Sequence, residues 1–244
     1  MTLDVVFTPA GLTSAEVQGR TVFVIDILRA GTTMCAALHH GARAVVPVAT
    51  AEDALRMAQT LGPEDSVLAG ERNCLPIPGF ALGNSPREML PEAVRGKTLV
   101  MTTTNGTAAL LAVSAGAAVI VAAAVNFSLV SARAQTGWLA GEDLLIVCSG
   151  REGRFALDDA YCAGRVVQEA IGTGRGRRGL NDAALASLDL VRRYGQRWER
   201  PLLASAGGRD LVELGMKDDI ADAVRVDAYP VLPLFHERRI QAAS

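Results

Sequence analysis

Apolar residues along this chain gather in short, nearly unbroken runs, and most runs are followed by a segment in which they recur every three or four positions. The runs at 4–8, 21–28, 44–49, 66–70, 98–103, 117–125 and 144–148 predict β-strands, several of them covered on both faces because polar residues do not alternate within them. Helical spacing over 32–40, 51–59, 106–114 and 128–140 places helices between the strands. Such alternation implies mostly parallel pairing through right-handed crossovers. Beyond residue 158 the pattern turns helical, at 158–171, 181–194 and a broken stretch from 209 to 226. The expectation is one α/β domain over 1–244, three-layer α/β/α around a mostly parallel or mixed sheet, with a helix-rich C-terminal part.

Composition supports this and narrows the function. Half of the 244 residues are hydrophobic while aromatics are 5%, which suits helices packed on a buried sheet better than a β-sandwich. Lys plus Arg number 24 against 26 Asp plus Glu, so neither nucleic acid nor an anionic membrane is an expected partner and any anion binding must be local. The longest apolar run, 108–125, is broken by Ser114 and Gly116 and reads as a helix end followed by a strand. Cys35, Cys74, Cys148 and Cys162 lack metal-ligand spacing; they read as free thiols of a cytoplasmic protein. The N-terminus carries no signal-peptide pattern. A homo-oligomer is the base-rate expectation. The segment GTGRGRRG, 172–179, reads as a solvated, mobile loop, the competing reading being a basic patch.

Candidate chemistry lies where the strands end, since ligands of open α/β sheets collect beyond the carboxyl ends of strands. The run at 21 ends in Asp26 and Arg29, that at 66 in Glu71 and Arg72, that at 98 in Thr102, Thr103, Thr104, Asn105, Gly106 and Thr107, that at 117 in Asn126, and that at 144 in Ser149 and Gly150. TTTNGT, 102–107, suits either a phosphate cradle or a threonine-capped helix. It is not a P-loop, because no Walker lysine follows. In GNSP, 83–86, Asn84 or Ser85 can cap a helix opened by Pro86 or turn its donors to an anion. Asp26 interrupts an apolar strand, so its charge calls for a partner: Arg29 in a buried ion pair, a divalent metal, or a reacting group. Asp158 reads as a helix cap and Asp159 as a metal or site residue.

Together DILRAGTT (26–33), GER (70–72), GNSP, TTTNGT, the Ser-Gly before the acidic pair (149–159), NDAALAS (181–187), LVELGMKDDI (211–220) and VLP (231–233) resemble the 2-phosphosulfolactate phosphatase family across nearly the whole chain. The resemblance implies a Mg²⁺-dependent acid phosphatase that converts 2-phosphosulfolactate, or a closely related phosphorylated 2-hydroxy acid, to the free hydroxy acid and phosphate. Its pathway is associated with coenzyme M biosynthesis or bacterial sulfolactate production. Departures from the family pattern occur at Gly31, Ala81, Asp158 and Gly207. On this reading Asp26, Glu71 and Asp159 hold Mg²⁺ with waters. Thr103, Thr104, Asn105 and Gly106 cradle phosphate, and Arg29 and Arg72 neutralise charge or clamp a carboxylate or sulfonate. Either Asp26 or a metal-bound water attacks phosphorus. The rival is a non-catalytic anion- or nucleotide-binding sensor on the same scaffold.

Overall fold

The computed structural model describes residues 1–172 and 178–243. Most of the glycine- and arginine-rich segment 172–179 therefore lies outside the described residues. The strands are β1 (Leu3–Val6), β2 (Thr21–Ile25), β3 (Ala44–Pro47), β4 (Ser66–Arg72), β5 (Leu75–Pro76), β6 (Thr98–Thr102), β7 (Ala118–Ala122), β8 (Leu144–Cys148), β9 (Pro233–His236) and β10 (Arg239–Ala242). The helices are α1 (Ser14–Val17), α2 (Ala30–His39), α3 (Ala51–Leu61), α4 (Pro91–Val94), α5 (Gly106–Ala112), α6 (Phe127–Ala140), α7 (Leu157–Ile171), α8 (Asp182–Tyr194), α9 (Glu199–Ala204), α10 (Ala206–Glu213) and α11 (Lys217–Ala223).

The sheet runs β1-β8-β2-β7-β9-β10-β3-β6-β4-β5. Its first four strands pair in parallel, and so do β3, β6 and β4. Between the two groups lies the C-terminal hairpin β9–β10, antiparallel to itself, to β7 and to β3. Three antiparallel steps reverse direction, so β3, β6 and β4 run opposite to β2, β7 and β8. The sheet is mixed, and a flat version would place the ends of β2 and β6 at opposite edges. Right-handed twist of about 20–25° per step turns the sheet by roughly 100–125° over the five steps from β2 to β6. The end of β2 and the start of α5 meet: a β-carbon added to Gly106 would lie 2.5 Å from Asp26 Oδ2.

Strand alternation decides which face each side chain serves. Phe23 and Ile25 of β2 join Trp138 of α6 and Tyr161 and Val166 of α7 in one core, while Val22 and Val24 point the other way, to Met34 of α2 and Leu110 of α5. Leu99 and Met101 of β6 enter that second core from the other half of the sheet. Each such side chain contributes about 1.5–3 kcal/mol by leaving water, so the two halves are held together through α2 and α5. Some motif residues serve this frame. Asn181 caps α8 by accepting the Ala184 N–H, accepts the Val5 N–H at 3.0 Å and donates to Val5 O at 2.9 Å, tying helix to edge strand.

Two hairpins have no counterpart in the sequence pattern. β9–β10 turns at Glu237 and Arg238, and β4–β5 at Asn73 and Cys74, all four with positive φ. Tight hairpin turns are signalled by Asn-Gly or Asp-Gly, and neither pair carries one. Pro233 and Pro76 further mask the strands they belong to.

Candidate active site

β2 stops at Ile25, and the chain turns so that Asp26 faces the first turn of α2. Ala30 N–H donates to Asp26 Oδ1 at 3.1 Å and Gly31 N–H to Asp26 O at 2.7 Å. Asp26 Oδ2 lies against Gly106, where any side chain would collide with the carboxylate and with Ala30 Cβ. Glycine at 106 is thus what lets α5 approach Asp26.

From the other side α7 presents two aspartates in its first turn. Asp159 is anchored: its Oδ1 accepts the Ile27 N–H at 3.0 Å, and its Oδ2 accepts the Ser149 hydroxyl at 3.0 Å and the Gly150 N–H at 3.1 Å. Gly150 has φ +66°, and a β-carbon there would stand 2.4 Å from Arg154 O, so only glycine turns the chain into this position. Asp158 is not the cap the sequence suggested; residue 156 holds that position. Its carboxylate opens on a cavity.

These three carboxylates are almost fully withdrawn from water, with Asp26, Asp158 and Asp159 8%, 4% and 3% exposed. Burial raises the Asp26 pKa to about 6, against the lowering effect of the Ala30 hydrogen bond and with help from the Glu71 charge. Asp158 is pushed up to about 7, again chiefly by burial, with Asp26 adding repulsion. Asp159 is raised well above the usual carboxylate range by burial and then by its two acidic neighbours. Among the described residues no three His, Cys, Asp or Glu side chains form a ready-made metal cage.

The cleft has two lobes. The larger, about 250 Å³, is lined by Asp26, Ser149, Asp158, Asp159, Arg151 and the start of α10; the smaller, about 50 Å³, by Glu71, Asn84, Thr104 and Arg29. Asp26, Leu28, Asn105 and Arg151 line both. In the smaller lobe Glu71 accepts from Thr104 N–H at 2.7 Å, Cys74 N–H at 2.9 Å and Thr104 Oγ1 at 3.2 Å, joining the ends of β4 and β6. Arg29 is buried and held by protein partners: it donates to Asp219 Oδ2 at 2.7 Å and to Cys74 O at 2.6 Å, and Ser85 donates to the other Asp219 oxygen at 2.6 Å.

The residues read from the strand ends therefore divide. Asp26, Glu71, Asp159, Ser149, Gly150, Thr104, Asn105, Asn84 and Arg29 line the cleft, with Gly106 against Asp26. Ser85 sits behind it on Asp219. Thr103 and Thr107 spend their hydroxyls on each other's backbone, and Thr102 Oγ1 lies between Ala49 O and the Arg72 guanidinium. Arg72 bonds to Glu71 O and Thr102 and lines neither lobe. Asn126 is fully buried, accepting the Ala123 N–H and donating to Val121 O and Val231 O. It locks the β7–α6 corner to the segment that leads into β9 and does not line the cleft. Arg151, one residue past Ser-Gly, was not singled out from the sequence; the cue was the arginine pair in SGREGRF. Glu152 N–H donates to Asn105 Oδ1 at 2.9 Å and fixes this loop to the start of α5.

A small cleft at the meeting of strand ends and helix N-termini, walled by buried acids on one side and arginine on the other, defines an α/β protein built for the chemistry of a small anion. The chain matches the family described as 2-phosphosulpholactate phosphatase over residues 6–238, and it belongs to that family. Relatives named probable 2-phosphosulfolactate phosphatase include those of Symbiobacterium thermophilum, 36% identical over 92% of this chain and 95% of the relative, and Caldanaerobacter subterraneus, 35% identical over 96% and 95%. That of Deinococcus radiodurans is 40% identical over 86% and 85%. No helix among the described residues is long and apolar enough to cross a membrane.

Proposed function

We propose that this protein hydrolyses a small acidic phosphate monoester, 2-phosphosulfolactate or a closely related phosphorylated 2-hydroxy acid, releasing phosphate and the free hydroxy acid with the help of Mg²⁺. The observation that carries the reading is the group of buried aspartates, Asp26 and Asp158 foremost, opening on one cavity of about 250 Å³. Acids so placed would repel a phosphate dianion, and they suit it only when a hard cation stands between.

The donor set fits Mg²⁺. Asp159 and Glu71 each accept three protein hydrogen bonds, which turns them toward holding the frame. Asp26, with one backbone donor on its Oδ1, and Asp158 remain. Mg²⁺ commonly takes only one or two carboxylates and completes its shell with water and substrate phosphate, so the lack of a three-residue cage agrees with it. Bound by Asp26 and Asp158, the ion would neutralise charge on the phosphoryl oxygens as the ester bond breaks.

The protein's own part is orientation. Asp26 stands where the lobes join, its Oδ1 pinned by α2 and its Oδ2 beside the start of α5. Thr104 and Asn105 border that seam through the Glu71 and Glu152 contacts. In the net reaction water supplies an oxygen to phosphorus, the P–O bond to the hydroxy acid breaks, and a proton passes to the departing oxygen. Attack by Asp26 followed by hydrolysis of the acyl phosphate, or direct attack by water, both close this balance.

Phosphate release from 2-phosphosulfolactate by the purified protein, with Mg²⁺ and with excess EDTA, tests the reading. Turnover that needs the metal and falls about 100-fold or more in Asp26→Asn is expected. Full turnover in EDTA would sink the role of Mg²⁺. Tight binding of the ester with no phosphate released would favour the sensor.

A further inference from the structure

We infer that Arg151 is the residue that reads the second anionic group of the substrate, a carboxylate or sulfonate carried a few atoms from the phosphate ester. The inference rests on the hydrolytic reading above, in which the phosphate lies at the Asp26 end of the cleft.

The larger lobe is electrically divided. Its deep wall is acidic, with Asp26, Asp158 and Asp159, while Arg151 and Arg209 line the rest together with the Ser205–Gly207 turn. A point one bond out from Gly207, where a β-carbon would sit, is 3.6 Å from an Arg151 guanidinium nitrogen and 3.7 Å from Asp158 Oδ2. The space over Gly207 is therefore bordered by a cation on one side and by a proposed metal ligand on the other. A substrate whose phosphate meets the acids through a cation brings its next substituent to this space.

Each of the other arginines near the cleft lies outside the larger lobe or is turned to a backbone carbonyl. Arg29 is buried with its donors on Asp219 and Cys74 O, and Arg72 lines neither lobe. Arg209 donates to Ala204 O at 2.6 Å and caps the end of α9. Arg151 pairs with Asp210, but that pair is partly exposed, the two side chains being 31% and 40% accessible. Such a pair holds little free energy, and a guanidinium has five N–H donors, so an entering carboxylate or sulfonate can share Arg151 with Asp210. The backbone that carries the side chain is held firmly: Arg151 and Arg154 exchange two backbone hydrogen bonds, each 2.9 Å, and the next residue is tied to Asn105. Arg151 is thus positioned before substrate arrives.

The test compares kcat/KM of the Mg²⁺-loaded enzyme on 2-phosphosulfolactate, 2-phospholactate and p-nitrophenyl phosphate, the last lacking a second anion. In Arg151→Gln the ratio of kcat/KM for the two-anion esters over p-nitrophenyl phosphate should fall about tenfold or more, mainly through KM, as loss of a charge-assisted hydrogen bond predicts. Gly207→Val, which keeps the arginine but fills the space between it and Asp158 with methyl groups, should also lower that ratio. A loss shared equally by all three substrates, or an unchanged ratio in both variants, would overturn the assignment while leaving the hydrolytic reading intact. Absence of hydrolysis of every ester by the unmodified protein would remove the hydrolytic reading and this assignment together.

Discussion

Replacing Asp158 by Asn should stabilise the metal-free protein at alkaline pH and leave it nearly unchanged in acid. Asp158 has a folded pKa of about 7 against about 3.9 for an unfolded aspartate. The folded state therefore binds its proton more tightly than the unfolded state, so stability is greatest below the unfolded value and is lost as pH rises through the folded one. Three pKa units correspond to about 4 kcal/mol. Because the loss accumulates gradually between the two pKa values, roughly a third of it is already present at pH 5 and nearly all at pH 8. Asn keeps the shape and carries no charge, so it removes this penalty and also the repulsion that Asp158 imposes on Asp26 and Asp159. The variant should gain about 2–3 kcal/mol relative to the parent between pH 5 and pH 8, or about 5–10 °C in Tm for a chain of this size. Urea unfolding in EDTA at the two pH values measures it, and groups common to both proteins cancel in the difference. A parent protein whose stability is flat or rises from pH 5 to pH 8, with no relative gain in the variant, would refute the picture of uncompensated buried acids.

Mg²⁺ binds only the ionised carboxylates, so it should raise Tm more at pH 8 than at pH 5, and Asp26→Asn should abolish most of that shift in a thermal melt. Gly106→Ala pushes a methyl group to 2.5 Å from Asp26 Oδ2; turnover should fall at least about tenfold with a stability cost of about 1–3 kcal/mol, read by steady-state kinetics and urea unfolding. Asn126→Ala strands one N–H and two carbonyls in the core and should cost about 3–5 kcal/mol, while the kcat of the folded fraction stays within about twofold because Asn126 lies off the cleft. Arg29→Met leaves Asp219 buried without its cation and should cost about 3–5 kcal/mol, of which Arg29→Met with Asp219→Leu recovers a large part; denaturant melts of the single and double variants check it.

Much of this architecture is written locally. Runs such as Thr21–Ile25 and Leu144–Cys148 have no polar alternation, are short and rich in β-branched residues, and form strands buried on both faces. Thr50 and Asn181, with apolar periodicity after them, mark helix starts that the side-chain hydrogen bonds show. Asp26 was legible as a site residue for the same reason, since a carboxylate inside an apolar run must be neutralised or used. What each strand-end residue does was not legible, because its partners lie far away in the chain. Asp159 is spent on Ile27, 132 positions off, and Arg29 on Asp219, 190 off, and neither partner can be read from the residues that adjoin them. Asn126 looked like Asn105, one at the end of each strand; only the return of the C-terminal strand puts Val231 O against the first and leaves the second beside the cleft. That return includes the β9–β10 hairpin, whose turn at Glu237 and Arg238 has no glycine, and it reverses half of the sheet. The amino-acid order settles the parallel strands, most of the helices between them and where charge is out of place; the long-range pairing settles the hairpins and which charges share a cavity, because burial and hydrogen bonding between distant residues exist only once the chain has closed on itself.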